Sequence, residues 1–227
     1  MKKPTKVLTA SLLAFACQSA YSADLSIEIQ NLTQGIYFTP LLVAAHTPEA
    51  SLFELGESAS TEIEAMAEMG SLDGLMTVTT SVNADVIANP AEGLLGPSLS
   101  TTAMLTTDDS NTVLSIVGMI LPSNDGFVGL DNWQIPSEAG TYTFYLNAYD
   151  AGTEANDEIR ASMPVPPPLD PLLGTGGAGV TSQETNASVH IHRGNLGDAD
   201  SSGGSSDMVN SIHRWLNPVA KVTVTVN

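Results

Sequence analysis

The chain has 227 residues, with 25 acidic against seven basic side chains and a net charge of −18. So little positive charge excludes a phosphate-backbone footprint, hence nucleic acid as a partner, and it excludes direct attraction to an anionic membrane. Three of the basic residues sit in the first six positions, and the only cysteine, Cys17, lies close behind them.

Those first residues read as an export signal. Lys2, Lys3 and Lys6 precede an apolar run over residues 7–16, and small residues follow to Ser22 and Ala23. A basic start, a short apolar core and a small-residue end predict cleavage after Ser22 or Ala23, giving a leader of residues 1–23. The run is too short to span a bilayer. Acylation at Cys17 is the minor alternative, since Ala14-Phe15-Ala16 fits the lipoprotein pattern poorly. Removing the leader leaves Arg160, Arg193, Arg214 and Lys221 against the same 25 acids, a charge of −21. Export places the chain at the cell surface, outside the cell or in a periplasm. A remainder of roughly 200 residues can bury one core without disulfides.

Residues 24–30 alternate apolar and polar, the pattern of a half-buried strand. Residues 38–45 form a second extended stretch, with Pro40 pointing to an edge or an interruption, and end at His46. Thr47-Pro48-Glu49 reads as a helix start running to Leu55 before Gly56. Ser60 caps a second helix over residues 61–69, with Ile63, Met66 and Ala67 on one face and Gly70 as its stop. Residues 76–82 (MTVTTSV) alternate and predict a strand. Residues 99–106 and 112–121 read as strands of a hairpin around Asp108-Asp109-Ser110-Asn111, the second apolar enough to be central. Residues 141–149 and 188–192 predict further strands, and residues 221–226 (KVTVTV) the last one. The stretches 164–179 and 195–207 read as long surface loops, rich in Pro and Gly and in Gly, Ser and Asp respectively.

Residues 124–158 carry the richest chemistry. Asp125 precedes the apolar segment 127–130, Asp131 follows it, and the strand 141–149 runs into Asp150-Ala-Gly-Thr-Glu154. Acidic turns at neighbouring strand ends can bring hard oxygen ligands to one calcium ion. They can equally be solvated turns, because Asp, Asn and Gly favour turns on conformational grounds. His190 and His192, two apart on a strand, share a face and could bind zinc or copper with His213 or His46; hydrogen-bonded histidines are the plainer reading. No G-x-S-x-G elbow is present. Asp125 and Asp150 could flank a glycosidic bond, and Trp133 and Trp215 could stack on a sugar, but carboxylates that share a calcium ion are ionised, unlike a general acid. Packing is the plainer role for both tryptophans.

Several stretches, in order, resemble the spondin N-terminal domain family (F-spondin/mindin-like), and its bacterial secreted members in particular. They are FTPLLVAAH from Phe38 to His46, Leu55-Gly56 with Ala59-Ser60, AEMG from Ala67 to Gly70, and NPVAKVTV from Asn217 to Val224. The most specific are SNDGFVGLD, ending at Asp131, and YDAGTE, ending at Glu154. The resemblance implies an all-β fold, a C2-like antiparallel β-sandwich with one or two short helices and long surface loops, as one domain over residues 24–227. It implies a calcium ion held by Asp125, Asp150 and Glu154, with Asp131 as a second-shell or structural partner. Animal members have Asp where Glu154 stands, tryptophan where Gly126 stands, and cysteines that this chain lacks. The implied function is a secreted, non-enzymatic, calcium-binding adhesion module whose partner is an extracellular protein or a glycan. A carbohydrate-binding or carbohydrate-active sandwich is the alternative.

Overall fold

A computed structural model describes residues 22–163, 179–180, 186–200 and 204–227. The leader lies outside these residues except for Ser22 and Ala23, as does the 164–179 loop except for Gly179. The fold is all-β and antiparallel, two packed sheets joined by one shared strand. The first sheet runs β5 (Ser100–Thr106), β1 (Asp24–Asn31), β10 (Ala220–Val226) and β8 (Gly140–Asp150). The second continues from β8 through β7 (Gly126–Gln134), β6 (Val113–Leu121) and β3 (Leu42–His46) to β4 (Asp85–Ala88). Within β8, residues 140–146 pair with β10 and residues 147–150 with β7, so this strand turns the corner between sheets.

Alternation explains the first sheet. Leu25, Ile27 and Ile29 of β1 and Val222, Val224 and Val226 of β10 point into the core, and the residues between them face outward. β6 is buried at every position and has two cores to fill. Leu114, Ile116 and Ile120 face the space between the sheets. Val117, Met119 and Leu121 face a second cluster with α1 (Thr61–Met69), which contributes Ile63, Met66 and Ala67. As the sequence predicts, Ser60 Oγ caps this helix by accepting from Ile63 N, and Gly70 closes it in a left-handed conformation. The stretch around Pro40 is interrupted, as expected, into β2 (Tyr37–Phe38), paired to β6, and β3.

Four local expectations fail. Residues 76–82 are not a strand but most of α2 (Asp73–Ser81). The hydroxyls of Thr77, Thr79, Thr80 and Ser81 bond back to carbonyls three or four residues earlier, and Leu75 and Thr79 bury one face. Gly74 lets α2 lie against α1, since a Cβ there would sit 2.8 Å from Glu62 Cγ. Next, the strands on either side of Asp108 do not pair with each other. β5 pairs with β1, and β6 with β3 and β7. The connecting turn is pinned to β4, where Asp85 Oδ2 accepts from Asp108 N (2.6 Å) and Asn111 Nδ2 (2.8 Å). Third, the 188–192 strand shrinks to β9 (His190–Ile191), paired with the end of β8.

The fourth failure is the helix expected from Thr47. After one turn the chain leaves helical geometry, and Asp131 takes its donors. Asp131 Oδ1 accepts from Leu52 N (2.8 Å), and Oδ2 accepts from Ser51 Oγ (2.7 Å) and Asn132 Nδ2 (2.9 Å). A bulge aims the carboxylate there. Asp131 and Asn132, the latter with φ 54°, stand opposite the single residue Ser115, whose Oγ lies 3.2 Å from Asp131 Oδ1 and 2.7 Å from His46 Nε2. The strap then inserts Leu52 and Phe53 into the second core, Phe53 meeting Phe127 edge-on at 5.1 Å. Asp131→Ala strands three donors and is expected to cost about 2–3 kcal/mol. That corresponds to a melting temperature lower by roughly 4–12 °C, read by calorimetry, with any response to calcium unchanged.

Candidate metal centre

Register brings the two acidic turns together. Gly126 pairs with Asp150, so Asp125, entering β7, and Asp150, leaving β8, stand at one end of adjacent strands. Ala151 N donates to the Asp125 carbonyl (3.2 Å). The turn after β8 then folds back over Asp125. Asp125 Oδ2 accepts from Thr153 N (2.8 Å), Thr153 Oγ1 (3.3 Å) and Glu154 N (3.1 Å). Asp150 Oδ1 accepts from Gly152 N (2.8 Å), and Asp150 Oδ2 accepts from Asn156 Nδ2 (2.6 Å). Glu154 reaches the other way, with Oε1 accepting from Val180 N (3.0 Å). Gly179 makes room for it, because a Cβ there would collide with Glu154 Oε1.

All three carboxylates are buried, Asp125 completely. Asp125 Oδ1 and Glu154 Oε2 have no hydrogen-bond donor among the described residues. Burial, and then the charge of Asp150, pushes Asp125 up to about 6 against the hydrogen bonds on its other oxygen. Burial likewise pushes Glu154 up to about 7, with Glu68, Asp125 and Asp157 adding repulsion against the Val180 bond. Two acid oxygens held dry and unpartnered are costly unless something else meets them. The donor set is hard oxygen, which suits calcium. Among the described residues, however, no three or more His, Cys, Asp or Glu side chains gather closely enough to hold a metal ion.

Sequence reasoning missed several neighbours. Glu68 of α1 reaches Thr153, and burial raises its carboxyl. Its place in the AEMG stretch was the available signal, masked by its fit to a solvated helix face. Asn124 and Asp157 tie the two loops together through Asn124 Nδ2 donating to Asp157 Oδ1 (3.1 Å). Asp131 is not in this group; its contacts are those of the strap, the structural one of its two expected roles.

The histidines separate. His46 is buried against Ser115 and the Thr47 carbonyl. His213 accepts from Val209 N, and burial, then Arg160, lowers it from the ordinary histidine value. His192 Nδ1 accepts from Gly194 N (2.9 Å), and its ring lies 4.8 Å from that of Trp215. His190 Nε2 stands 3.7 Å from Asp150 Oδ2. The minor reading, in which His190 and His192 bind a metal with His213 or His46 as third ligand, finds no such group among the described residues; hydrogen-bonded histidines are the plainer reading. Both tryptophans pack, Trp133 on Phe144 at 4.6 Å and Trp215 in the core beside His192.

Among the described residues no helix is long and apolar enough to cross a membrane. Comparison with curated proteins returns no match. The Spondin_N family model matches residues 28–163, over half of the chain, from within β1 through both acidic turns. The family is in general one of non-enzymatic domains of extracellular type. β10, beyond the matched span, lies between β1 and β8 and completes the first sheet. A continuous match that takes in both acidic turns, on an all-β sandwich that sets them side by side, makes this chain a member of the spondin N-terminal domain family.

Proposed function

We propose that the chain is an exported calcium-binding adhesion module, with the ion seated between the two acidic turns and the surrounding loops contacting an extracellular protein or glycan. Asp125, Asp150 and Glu154 are the carboxylates that would hold it. The observation that supports this most is the pair of buried oxygens, Asp125 Oδ1 and Glu154 Oε2, that no described donor meets. An ion supplies what they lack, and small movements of two loops bring in the rest of its shell. Calcium here is structural, ordering the turns against each other. Export agrees with the start of the fold: Ala23 N donates to Thr107 Oγ1 (3.0 Å) and Ala23 O accepts from Thr107 N (2.9 Å). Cleavage after Ser22 keeps both bonds.

Extracellular modules hold calcium with dissociation constants of about 0.1–1 mM. At 10 mM calcium the native state then gains about 1.4–2.7 kcal/mol, a rise of several degrees in melting temperature. Calorimetry of the exported chain in chelator, in calcium and in magnesium tests this. A melting curve indifferent to calcium sinks the proposal.

A further inference from the structure

Beside Asp150 lies a cavity of about 200 Å³, lined also by Asn156, Glu158, His190, Arg193, Gly194 and Leu196. We propose that this cavity is a saccharide subsite that takes one neutral, hydroxyl-rich sugar ring. The inference rests on the reading of the chain as a binding module, and it shares only Asp150 with the candidate metal centre.

The walls are held in place before any ligand arrives. Glu158 Oε2 accepts from Gly197 N (2.9 Å) and Ser206 Oγ (2.6 Å), and its Oε1 accepts from Leu196 N. This carboxylate clamps the segment after β9 onto the segment after β8. His190 Nδ1 lies 2.8 Å from the Ser188 carbonyl, which fixes the ring with Nε2 toward Asp150. Gly194, with φ +85°, makes a turn that only glycine can make, because a Cβ would strike the Trp215 carbonyl oxygen. Glu158 itself has φ 55°, a left-handed conformation costing about 1–3 kcal/mol in a non-glycine residue. Such strain is kept where the surroundings over-determine it, and here they do so at a cavity wall.

The chemistry of the walls selects the ligand class. Carboxylate acceptors (Asp150, Glu158) and residues with imidazole and guanidinium donors (His190, Arg193) line the same cavity, and a hydroxyl group both donates and accepts. An anion meets two carboxylates in a chain of net charge −18. An apolar ligand finds only Leu196, 68% exposed at the rim, which suits the C–H face of a ring. Arg193, one of few cations in the chain, is exposed and makes no ion pair or hydrogen bond through its guanidinium among the described residues. The volume is below the roughly 300–1,000 Å³ of pockets for drug-sized ligands, so one ring enters and the rest of a chain stays outside.

The test is saturation-transfer NMR and calorimetry on the exported chain with glucose, galactose, mannose and N-acetylglucosamine, with galacturonate as the anionic comparator, each in calcium and in chelator. Arg193→Ala and Leu196→Ala sit at exposed positions and leave the fold intact, which their melting temperatures verify. At least one neutral sugar is expected to bind, and each substitution to weaken it about tenfold, the loss of one charged hydrogen bond or one apolar contact. The proposal is overturned if no neutral sugar binds, if binding survives both substitutions, or if galacturonate binds more tightly than every neutral sugar. Failure of the calcium reading looks different: melting indifferent to calcium, with sugar still bound in chelator.

Discussion

Asp125→Asn is expected to stabilise the calcium-free protein at pH 8 by about 2–3 kcal/mol while removing its response to calcium. The two effects have one origin. Asp125 Oδ2 already accepts from Thr153 N, Thr153 Oγ1 and Glu154 N, and an asparagine oxygen keeps all three bonds. The other oxygen, buried and without a described donor, becomes an amide that can face Asp150 as a donor instead of a charge. Burial and Asp150 hold the acid at about 6, some two units above its ordinary value, and each unit is worth about 1.4 kcal/mol. Asparagine removes that cost and also removes a ligand. Calorimetry in chelator and in 10 mM calcium reads both. A variant less stable than the parent in chelator, or one that still gains stability from calcium, contradicts the assignment of Asp125. For a domain of this length the apo gain is a rise of roughly 4–12 °C, well outside error.

The expectations that held were local. The alternation in β1 and β10, the Ser60 cap and the Gly70 stop are written within a dozen residues, and neighbouring side chains decide them. Three of the failures turned on a partner outside the segment itself. Residues 76–82 alternate well enough for a strand, but packing against α1 across Gly74 selects the helix. Asp108 to Asn111 has the composition of a hairpin turn, yet Asp85 holds it while the flanking strands enter different sheets. The strap at Ser51 and Leu52 is not helical, and Asp131, some 80 residues later, takes its donors. The candidate metal centre was legible as motifs, since SNDGF and YDAGTE each carry their acid. The perturbation of Glu154 was not, because besides burial it involves the charge of Glu68 and an opposing hydrogen bond from Val180, both elsewhere in the chain. The cavity was less legible still. Arg193 and Leu196 belong to no motif, and the β9 pairing and the Glu158 clamp bring them to the cavity beside Asp150.

The calcium-free protein is expected to lose stability as pH rises from about 4 to 7, opposite to the usual behaviour of paired carboxylates. Asp125 titrates at about 6 and Glu154 at about 7 in the folded chain, against 3.8 and 4.5 when unperturbed. Across that window the native state therefore binds more protons than the unfolded chain, and stability falls with rising pH. It is fully present below the unfolded values and is gone once pH has passed the folded ones. Both groups contribute in the same direction, and Asp125 adds to the repulsion on Glu154. Glu68, raised by burial, adds in the same direction. His213 works against them, since its lowered value makes the folded state shed a proton that the unfolded chain keeps, and stability rises as pH climbs through the ordinary histidine value. Under the calcium proposal the ion would meet the ionised carboxylates, so its affinity should grow with pH as protons cease to compete. Melting curves in chelator and in 10 mM calcium should thus lie close together at pH 5 and separate widely at pH 8. In Asp125→Asn combined with Glu154→Gln, the fall in chelator should flatten, leaving the rise due to His213, and the two curves should coincide throughout. A parent whose calcium-free stability climbs steadily from pH 5 to 8 would show that these carboxylates are solvated or paired in solution, and the buried acidic clasp between β7 and β8 would have to be abandoned.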